Sequence, residues 1–243
     1  MIRSRETAWS REVVARFKSH WRFKGIGITA FFAVFFVGYF ALLKNPLFPV
    51  TVMPLIAMDR WVGFHPWTLG LYFSLWLYVQ FAPGAISDKR ELISFGWGAA
   101  GLGIIGFVIF LFWPTSTPHS QIDWEQHANF SFLKTIDASG NACPSLHVAF
   151  AVFFAVWNHR ILRELRSHGM IFFLNAVWCA GIIYSTLATK QHVALDVLSG
   201  TFLGGIAVAI HLRALANGRQ RADAIQTAVA GPAAPSPSLN LKS

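Results

Sequence analysis

Residues 185–196 have the sequence Ser-Thr-Leu-Ala-Thr-Lys-Gln-His-Val-Ala-Leu-Asp and lie where one apolar run ends and the next begins. The runs cover about 170–188 and 192–212, and each approaches the ~20 residues that a helix needs to cross a bilayer. His192 and Asp196 are four residues apart, so a helix starting at His192 places them on one face. Asp196 falls inside an apolar span, where a carboxylate indicates a functional site. The stretch therefore predicts a membrane helix that carries chemistry at its start.

The composition of the whole chain favours the same class. Of its 243 residues, 54% are hydrophobic and 13% are charged, and the mean hydropathy is +0.47. Such a chain is too apolar for a soluble domain of this length. The net charge of +9 comes from basic residues at the ends of apolar segments, where anionic headgroups explain them without nucleic acid. Cys143 and Cys179 alone make neither a disulfide framework nor a multi-cysteine metal site.

Six apolar segments predict an all-α, polytopic fold with a six-helix transmembrane bundle. Glycines in the third and sixth segments, including Gly200 and Gly204, predict close helix packing. The six segments lie at about 25–43, 67–85, 92–113, 144–157, 170–188 and 192–212.

The N-terminal segment, residues 1–24, is basic and carries an apolar face. Trp9, Val13, Phe17 and Trp21 recur every four residues, which predicts an amphipathic helix lying at the membrane interface. No small-residue cleavage site follows the first apolar run, so we expect that run to remain in the mature protein.

Three further boundaries complete the predicted organisation. The run 48–58 contains Pro49 and Pro54 and is too short to span, so we expect it to be re-entrant or interfacial. Residues 25–213 form the predicted catalytic membrane domain. The remainder, 214–243, is rich in Ala, Pro and Ser towards its end and is predicted to be a disordered cytoplasmic tail.

Topology follows from the distribution of Lys and Arg around the six segments. With the N-terminus in the cytoplasm, sixteen of these residues lie on that side and four on the other. The positive-inside rule then predicts a multi-pass protein of the plasma (inner) membrane with both termini cytoplasmic. The loops before 144 and 192 face outward, so the candidate site lies on the extracytoplasmic side.

The first of two polar clusters at these loops is Asn-Ala-Cys-Pro-Ser-Leu-His at 141–147. Proline suits the first turn of a helix, because its missing N–H costs nothing there. A helix beginning at Pro144 presents free backbone N–H groups, with the Ser145 hydroxyl beside them, and such a helix start binds anions. His147 lies one turn in, close enough to share the anion.

The second cluster provides a nucleophile with an orienting group. A carboxylate at Asp196 that holds one ring nitrogen of His192 leaves the other nitrogen free to attack or to accept a proton. Lys190 adds a cation two residues before the histidine. Metal ligation by His147, His192 and Asp196 is an alternative, although no further ligand is evident.

Together the two clusters resemble the type 2 phosphatidic acid phosphatase superfamily, whose second motif is P-S-G-H and whose third is S-R-x5-H-x3-D. Here the third motif runs from Ser185 to Asp196 with its spacing intact. The resemblance implies a six-span enzyme that acts on a lipid phosphate without a metal or other cofactor. It implies that His192 forms a phosphohistidine, Asp196 orients it, and His147 protonates the leaving alcohol. We expect Ser145, Lys190 and Ser185 to bind the phosphate.

Three departures narrow the resemblance. The family's first motif, K-x6-R-P, is absent; Thr186 replaces a phosphate-clamping arginine; and Leu146 replaces the glycine of the second motif. The P-S-L-H form resembles the branch of inositol phosphorylceramide synthases and related inositol phosphotransferases. A phosphodiester carries one negative charge fewer than a terminal phosphate, so it needs fewer cations. The hypotheses are therefore lipid phosphatase and headgroup transferase.

Other interpretations stay open. His119 and His127 in the outer loop are candidates to replace a missing cation, or else are ordinary solvated residues. Asp59 and Arg60 form either a headgroup contact or a local ion pair. A lipid transporter predicts internal repeats, which the sequence does not show, and a binding protein without catalysis gives no reason for the complete His, His, Asp set. The sequence does not specify the oligomeric state.

Overall fold

The computed structural model describes residues 2–119, 122 and 140–230, and these are mostly helical. A 3₁₀ turn at Pro66–Thr68 precedes α4, and two short strands, β1 at Thr51–Val52 and β2 at Thr115–Ser116, pair in parallel. The α-helices are α1 Ile2–Lys18, α2 Trp21–Lys44, α3 Ala57–Trp61, α4 Leu69–Phe73, α5 Leu75–Tyr78, α6 Phe81–Ala85, α7 Lys89–Phe112, α8 Leu146–Glu164, α9 Gly169–Ala188 and α10 Ala194–Ala230.

Four of the predicted spans are helices long and apolar enough to cross a membrane. They are α2, α7, α9 and the Ala194–Ala222 part of α10. The predicted spans at 67–85 and 144–157 do not add to this number among the described residues. The membrane class is therefore supported by four helices, and a count of six remains a prediction.

The predicted second span is a series of short helices, α4 to α6, rather than one continuous helix. At the first interruption the Ser74 hydroxyl donates to the Leu71 carbonyl at 2.6 Å and accepts from the Trp178 indole N–H at 2.8 Å. The Tyr78 hydroxyl donates to the Asn175 side-chain oxygen at 2.7 Å. These bonds tie the interrupted segment to α9. The bond from the Ser74 hydroxyl to the Leu71 carbonyl is a side-chain bond to the backbone of the same segment, and such bonds bend helices or compete with helix formation.

The predicted fourth span, α8, has more buried residues than α2, α7 or α9. Val148, Ala149, Ala151, Phe153 and Trp157 are all fully buried. A helix surrounded by other helices does not need the lipid-facing side chains of an outer span. α8 can therefore end in charged residues and still pack in the interior of the fold, because it does not have to be apolar along its whole length.

Close packing between α8 and α10 depends on glycine. A Cβ at Gly200 would lie 2.4 Å from the Ser145 carbonyl oxygen, and one at Gly204 would lie 2.3 Å from that of Ala149. Neither position has room for a side chain, so the two backbones approach directly. The predicted small-residue contact at Gly200 and Gly204 is confirmed.

The run 48–58 contains a strand that the sequence did not predict. Thr51 pairs with Thr115, and Val52 with Ser116. Pro49 and Pro54 flank the pair, and proline disfavours a helix through this region. The all-α prediction therefore holds apart from this two-stranded element, and the membrane placement of the run stays a prediction.

The N-terminal segment is helical but ends earlier than the predicted boundary at 24. α1 ends at Lys18, and Trp21 begins α2. The Trp9 indole N–H donates to Ser167 Oγ at 3.0 Å, and Phe17 packs directly on Gly84. α1 thus contacts protein through part of its apolar face; its position at a membrane interface stays a prediction.

The disorder predicted for residues 214–243 does not agree with the structure over its first part. α10 continues to Ala230, through positions 214–230 that we predicted to be disordered. Residues 219–230 contain neither Gly nor Pro and are rich in Ala, Arg and Gln, which are strong helix formers. The rest of the predicted tail, 231–243, lies outside the described residues. Residues up to Val208 form one compact unit, and a second unit begins at Ala209.

Candidate active site

The second-motif helix begins two residues later than predicted. α8 starts at Leu146, and Ser145 is its N-cap, with the Oγ accepting the Val148 N–H at 3.3 Å. Serine is favoured at this position because its oxygen satisfies a backbone donor that the helix leaves open. Ser145 is fully buried, so its observed role is to start the helix. Its predicted role in phosphate binding is not tested.

His147 lies in the first turn of α8 against two aromatic rings. Its ring stacks on Tyr72, with centroids 4.2 Å apart and an interplanar angle of 17°, and meets the Trp76 ring edge-on at 6.3 Å. Its Nε2 atom is buried and makes no hydrogen bond with a described residue. The aromatic contacts hold the imidazole in place, so Nε2 is free to bond a ligand.

His192 lies in the turn between α9 and α10 rather than on the helix. The prediction that the last helix starts at His192 is wrong by two residues, since α10 begins at Ala194. The turn forms because the Thr186 carbonyl accepts the backbone N–H groups of both Gln191 and His192. Lys190 has a φ of 58°, and this left-handed residue reverses the chain.

Asp196 nevertheless reaches His192 as the spacing predicted. Asp196 Oδ2 lies 3.5 Å from His192 Nδ1, and the carboxylate is fully buried. The same oxygen accepts the Val193 N–H at 3.0 Å, the backbone half of a capping box. Contacts between catalytic groups are often long without a substrate and tighten when one binds. The aspartate therefore faces Nδ1, which leaves Nε2 of His192 for chemistry.

A backbone hydrogen bond joins the two motifs. The Ser145 N–H donates to the Asp196 carbonyl at 3.0 Å, so the start of α8, which carries His147, lies beside the start of α10. The structure thus brings together the three residues that were predicted to act together.

Three polar atoms at this place are buried and make no hydrogen bond with any described residue. They are His147 Nε2, His192 Nδ1 and Asp196 Oδ1. Buried polar atoms in proteins are nearly always bonded, so each exception needs an explanation. His192 Nδ1 faces the Asp196 carboxylate at 3.5 Å, so His147 Nε2 is the atom among the three that is left to bond a ligand.

Lys190 and Ser185 have other partners in the structure. The Lys190 ammonium donates to the carbonyl oxygens of Val62 and Asp59. Ser185 is fully buried, and its hydroxyl donates to the Ile182 carbonyl at 2.6 Å within its own helix. Their predicted roles in phosphate binding are not tested. The observed role of Lys190 is to fasten the α3 region to the turn that carries His192.

Asp59 is a positioning residue that sequence reasoning missed. Its Oδ1 accepts the Ala194 N–H at 2.7 Å, and its Oδ2 accepts the Ile56 N–H at 2.8 Å. One carboxylate therefore caps both α3 and α10, 135 residues apart. The available signal was an acidic residue just after a short apolar run. We had considered an ion pair with Arg60, but the carboxylate bonds to backbone N–H groups instead.

The two substituted motif positions serve packing. Leu146 is buried against Gly106, where a Cβ would lie 2.4 Å from the leucine side chain. Thr186 is fully buried, and its hydroxyl donates to the Ile183 carbonyl at 2.7 Å. Neither position supplies a cation. Of the two loop histidines, His119 is exposed and His127 lies outside the described residues.

Among the described residues, no three His, Cys, Asp or Glu side chains form a group suited to holding a metal ion. The alternative interpretation of His147, His192 and Asp196 as a metal site therefore gains no support from their arrangement. The same side chains suit phosphoryl transfer, which requires a nucleophile, a group that orients it and a proton donor.

Comparison with known proteins relates most of the chain to a family. The model of the PAP2 superfamily matches residues 66–210, which is more than half of the chain and contains His147, His192 and Asp196. No curated protein matched, and no solved structure matched.

Proposed function

This chain belongs to the PAP2 superfamily, and we propose from that premise that it is a membrane lipid phosphatase or phosphotransferase working through a phosphohistidine at His192. Members of the superfamily are phosphatases or phosphotransferases, and four apolar helices fit a membrane protein. The observation that carries the proposal is the cluster of unbonded buried polar atoms on His147, His192 and Asp196.

In the first step, His192 Nε2 attacks the phosphorus of the lipid phosphate. A P–N bond forms while the bond between phosphorus and the lipid oxygen breaks, and Nε2–H of protonated His147 gives its proton to the departing alcohol. Asp196, 3.5 Å from Nδ1, stabilises the positive charge that develops on His192.

In the second step, an acceptor attacks the phosphohistidine. His147, now neutral, takes the proton from water or from an alcohol, the P–N bond breaks, and His192 is regenerated. Water gives a phosphatase and an alcohol gives a transferase. In both steps positioning and charge stabilisation supply most of the rate.

Headgroup transfer of the inositol phosphorylceramide synthase type is the second candidate. The observation that favours it concerns the described residues at the third motif: Thr186 is buried and bonded within its helix, and the Lys190 ammonium donates to backbone carbonyls. A phosphodiester has less charge to neutralise than a phosphate monoester. On this hypothesis the acceptor is an alcohol at the same membrane face.

We further propose that the site faces the extracytoplasmic side, that both termini are cytoplasmic, and that the reaction needs neither a metal nor another cofactor. The sequence distribution of Lys and Arg supports the orientation. The donor set of two histidines and one carboxylate, each with a role in phosphoryl transfer, supports the chemistry.

The test uses purified full-length protein in nanodiscs with ³²P-labelled lipid phosphates, assayed with and without chelator. We expect labelled protein with acid-labile phosphohistidine, and released phosphate or a new phospholipid when an acceptor such as diacylglycerol or ceramide is added. His192→Ala should abolish labelling, while Asp196→Asn should lower kcat by about 10²- to 10⁴-fold.

The matched control is His168→Ala, because His168 is exposed and its side chain caps no helix. It should retain wild-type turnover. Full activity in His192→Ala would rule out the proposed nucleophile, and loss of activity with chelator alone would favour a metal. Lipid movement across the membrane without any turnover would favour a transporter.

A further inference from the structure

An apolar cleft lies between α2, the α5–α6 segment, α7 and α8. The centre of a water-sized sphere can occupy about 190 Å³ of it. Aromatic rings come from each side, among them Phe31 of α2, Trp76 of α5, Phe95 of α7 and Phe150 of α8. A wall of this kind binds hydrocarbon and offers little to a polar ligand.

The cleft begins next to the candidate active site. Phe150 and Phe154 line it, and with His147 they follow three- and four-residue steps that place all three on one face of α8. Trp76 also lines the cleft, and its ring meets that of His147 at 6.3 Å. The catalytic histidine is therefore about one helical turn, ~5 Å, from the nearest part of the cleft.

The cleft ends at Lys24, near the opposite end of the bundle. The Lys24 ammonium donates to the carbonyl oxygens of Arg16 and Gly84, both at 2.6 Å, and to Ser19 Oγ at 3.3 Å. Its three donors are thus satisfied by protein groups, and its methylene groups are left to contact hydrocarbon.

The cleft is longer than the hydrocarbon part of one leaflet is thick. On α2 its lining extends from Phe23 to Phe35, and twelve helical steps correspond to ~18 Å. Adding the turn that separates it from His147 gives ~23 Å, whereas half of the hydrocarbon core is only ~15 Å. A chain that starts at the histidines and fills the cleft therefore passes the bilayer midplane.

We propose that this cleft binds one hydrocarbon tail of the lipid whose phosphate reacts at His192, and that it selects tails long enough to pass the bilayer midplane. The tail lies beside Trp76 and against Phe35 and Phe150, whose rings contact each other, and it extends towards Lys24. The identity of the reacting headgroup rests on the proposed function; the cleft and its direction do not.

Two glycines in the lining allow the volume of the cleft to be reduced by substitution. Gly27 and Gly96 line it, and a Cβ at either would meet nothing within 4 Å. Leucine at these positions therefore fills part of the cleft without displacing a neighbouring helix. Gly25 and Gly101 lie on the same two helices, have the same free space and do not line the cleft, so they supply matched controls.

The first experiment measures kcat/KM for single-chain alkyl and isoprenyl phosphates of increasing length in mixed micelles. Wild-type kcat/KM should rise until the tail passes the midplane. Gly96→Leu and Gly27→Leu should lower the ratio of long-chain to short-chain kcat/KM by about tenfold, equivalent to burying roughly two methylene groups fewer. Gly101→Leu and Gly25→Leu should match the wild type, and an equal ratio in all five proteins would overturn the proposal.

The second experiment does not depend on turnover. A long-chain alkyl phosphate with a diazirine at the chain end is photolysed with wild-type protein, and the adducts are mapped by mass spectrometry. Adducts within 23–35 and 92–99, weakened in Gly96→Leu, are expected. Adducts spread over exposed apolar positions such as Ile104, Val177 and Phe202 would overturn the cleft assignment. If mapping succeeds while every phosphate ester is left intact, the proposed function fails and the tail site stands.

Discussion

At the scale of single residues, the candidate site combines side chains that we propose to react with side chains that position them. His192 and Asp196 meet through a turn and the start of a helix, and the turn is held by bonds to distant residues. Asp59 caps α10 through the Ala194 N–H, and Lys190 bonds to carbonyls of Asp59 and Val62. The geometry around the proposed nucleophile therefore depends on a short helix more than 130 positions away.

The variant Asp59→Ala tests that dependence. Loss of a helix cap costs about 1 kcal/mol, so we expect a fall of about 2–4 °C in Tm for a chain of this size. We also expect kcat to fall by at least tenfold, because the start of α10 no longer holds Asp196 in place. Thermal unfolding in detergent and steady-state kinetics measure the two effects.

Asp88→Ala is the matched control for this prediction. Asp88 caps α7 by accepting the Glu91 N–H at 2.7 Å and is exposed, so its loss should lower Tm and leave kcat unchanged. Equal kcat in the two variants would show that Asp59 has only a structural role.

At the scale of elements, the packing of α10 on α8 brings the two motifs together. Gly200 and Gly204 allow the backbones to meet, and the Ser145 N–H then reaches the Asp196 carbonyl. The buried side chains of α8 contact neighbouring helices of the protein. Its hydrophobic pattern therefore reflects packing between helices more than contact with lipid.

Gly204→Ala should disturb this packing, because its Cβ would lie 2.3 Å from the Ala149 carbonyl oxygen. Overpacking of this kind costs about 1–3 kcal/mol, so we expect a lower Tm and reduced turnover. Gly205→Ala adds the same methyl group one residue along, where nothing lies within 4 Å, and helix propensity favours alanine there. A Gly204→Ala protein as stable as Gly205→Ala would contradict the proposed contact.

At the scale of the whole molecule, the predicted orientation places α1 in the cytoplasm and α3 outside. Lys18 and Arg60 are exposed on these two helices, so Lys18→Cys and Arg60→Cys report the two sides. In intact cells a membrane-impermeant maleimide should label Arg60→Cys and leave Lys18→Cys unlabelled until the cells are broken. The reverse pattern would invert the topology.

The natural cysteines should give little background in that assay. Cys143 and Cys179 are both buried. Burial raises the pKa of the Cys143 thiol, so it stays protonated at neutral pH and reacts slowly with maleimide. Labelling of wild-type protein measures what remains of this background.

Much of the candidate site could be predicted because its signals are local. The four-residue spacing of His192 and Asp196 predicted that their side chains would lie close together. They do so although His192 lies outside the helix, because the turn before the helix holds the two side chains about as close as a helical turn would. Ser145 was predicted near a helix start and is found there. The exact first residue of each helix was missed, because helix ends depend on which side chain caps them.

The sequence by itself predicted a membrane protein, four helices that are long and apolar enough to cross a membrane, the close approach at Gly200 and Gly204, and the proximity of His192 and Asp196. These depend on hydropathy and on spacing along one segment. Only the tertiary structure decided that Asp59 caps α10, that Leu146 and Thr186 are packing residues, and that an apolar cleft lies about one helical turn from His147. Each of these depends on which segments pack against each other, and the pattern within one segment does not specify which distant segment covers its apolar face.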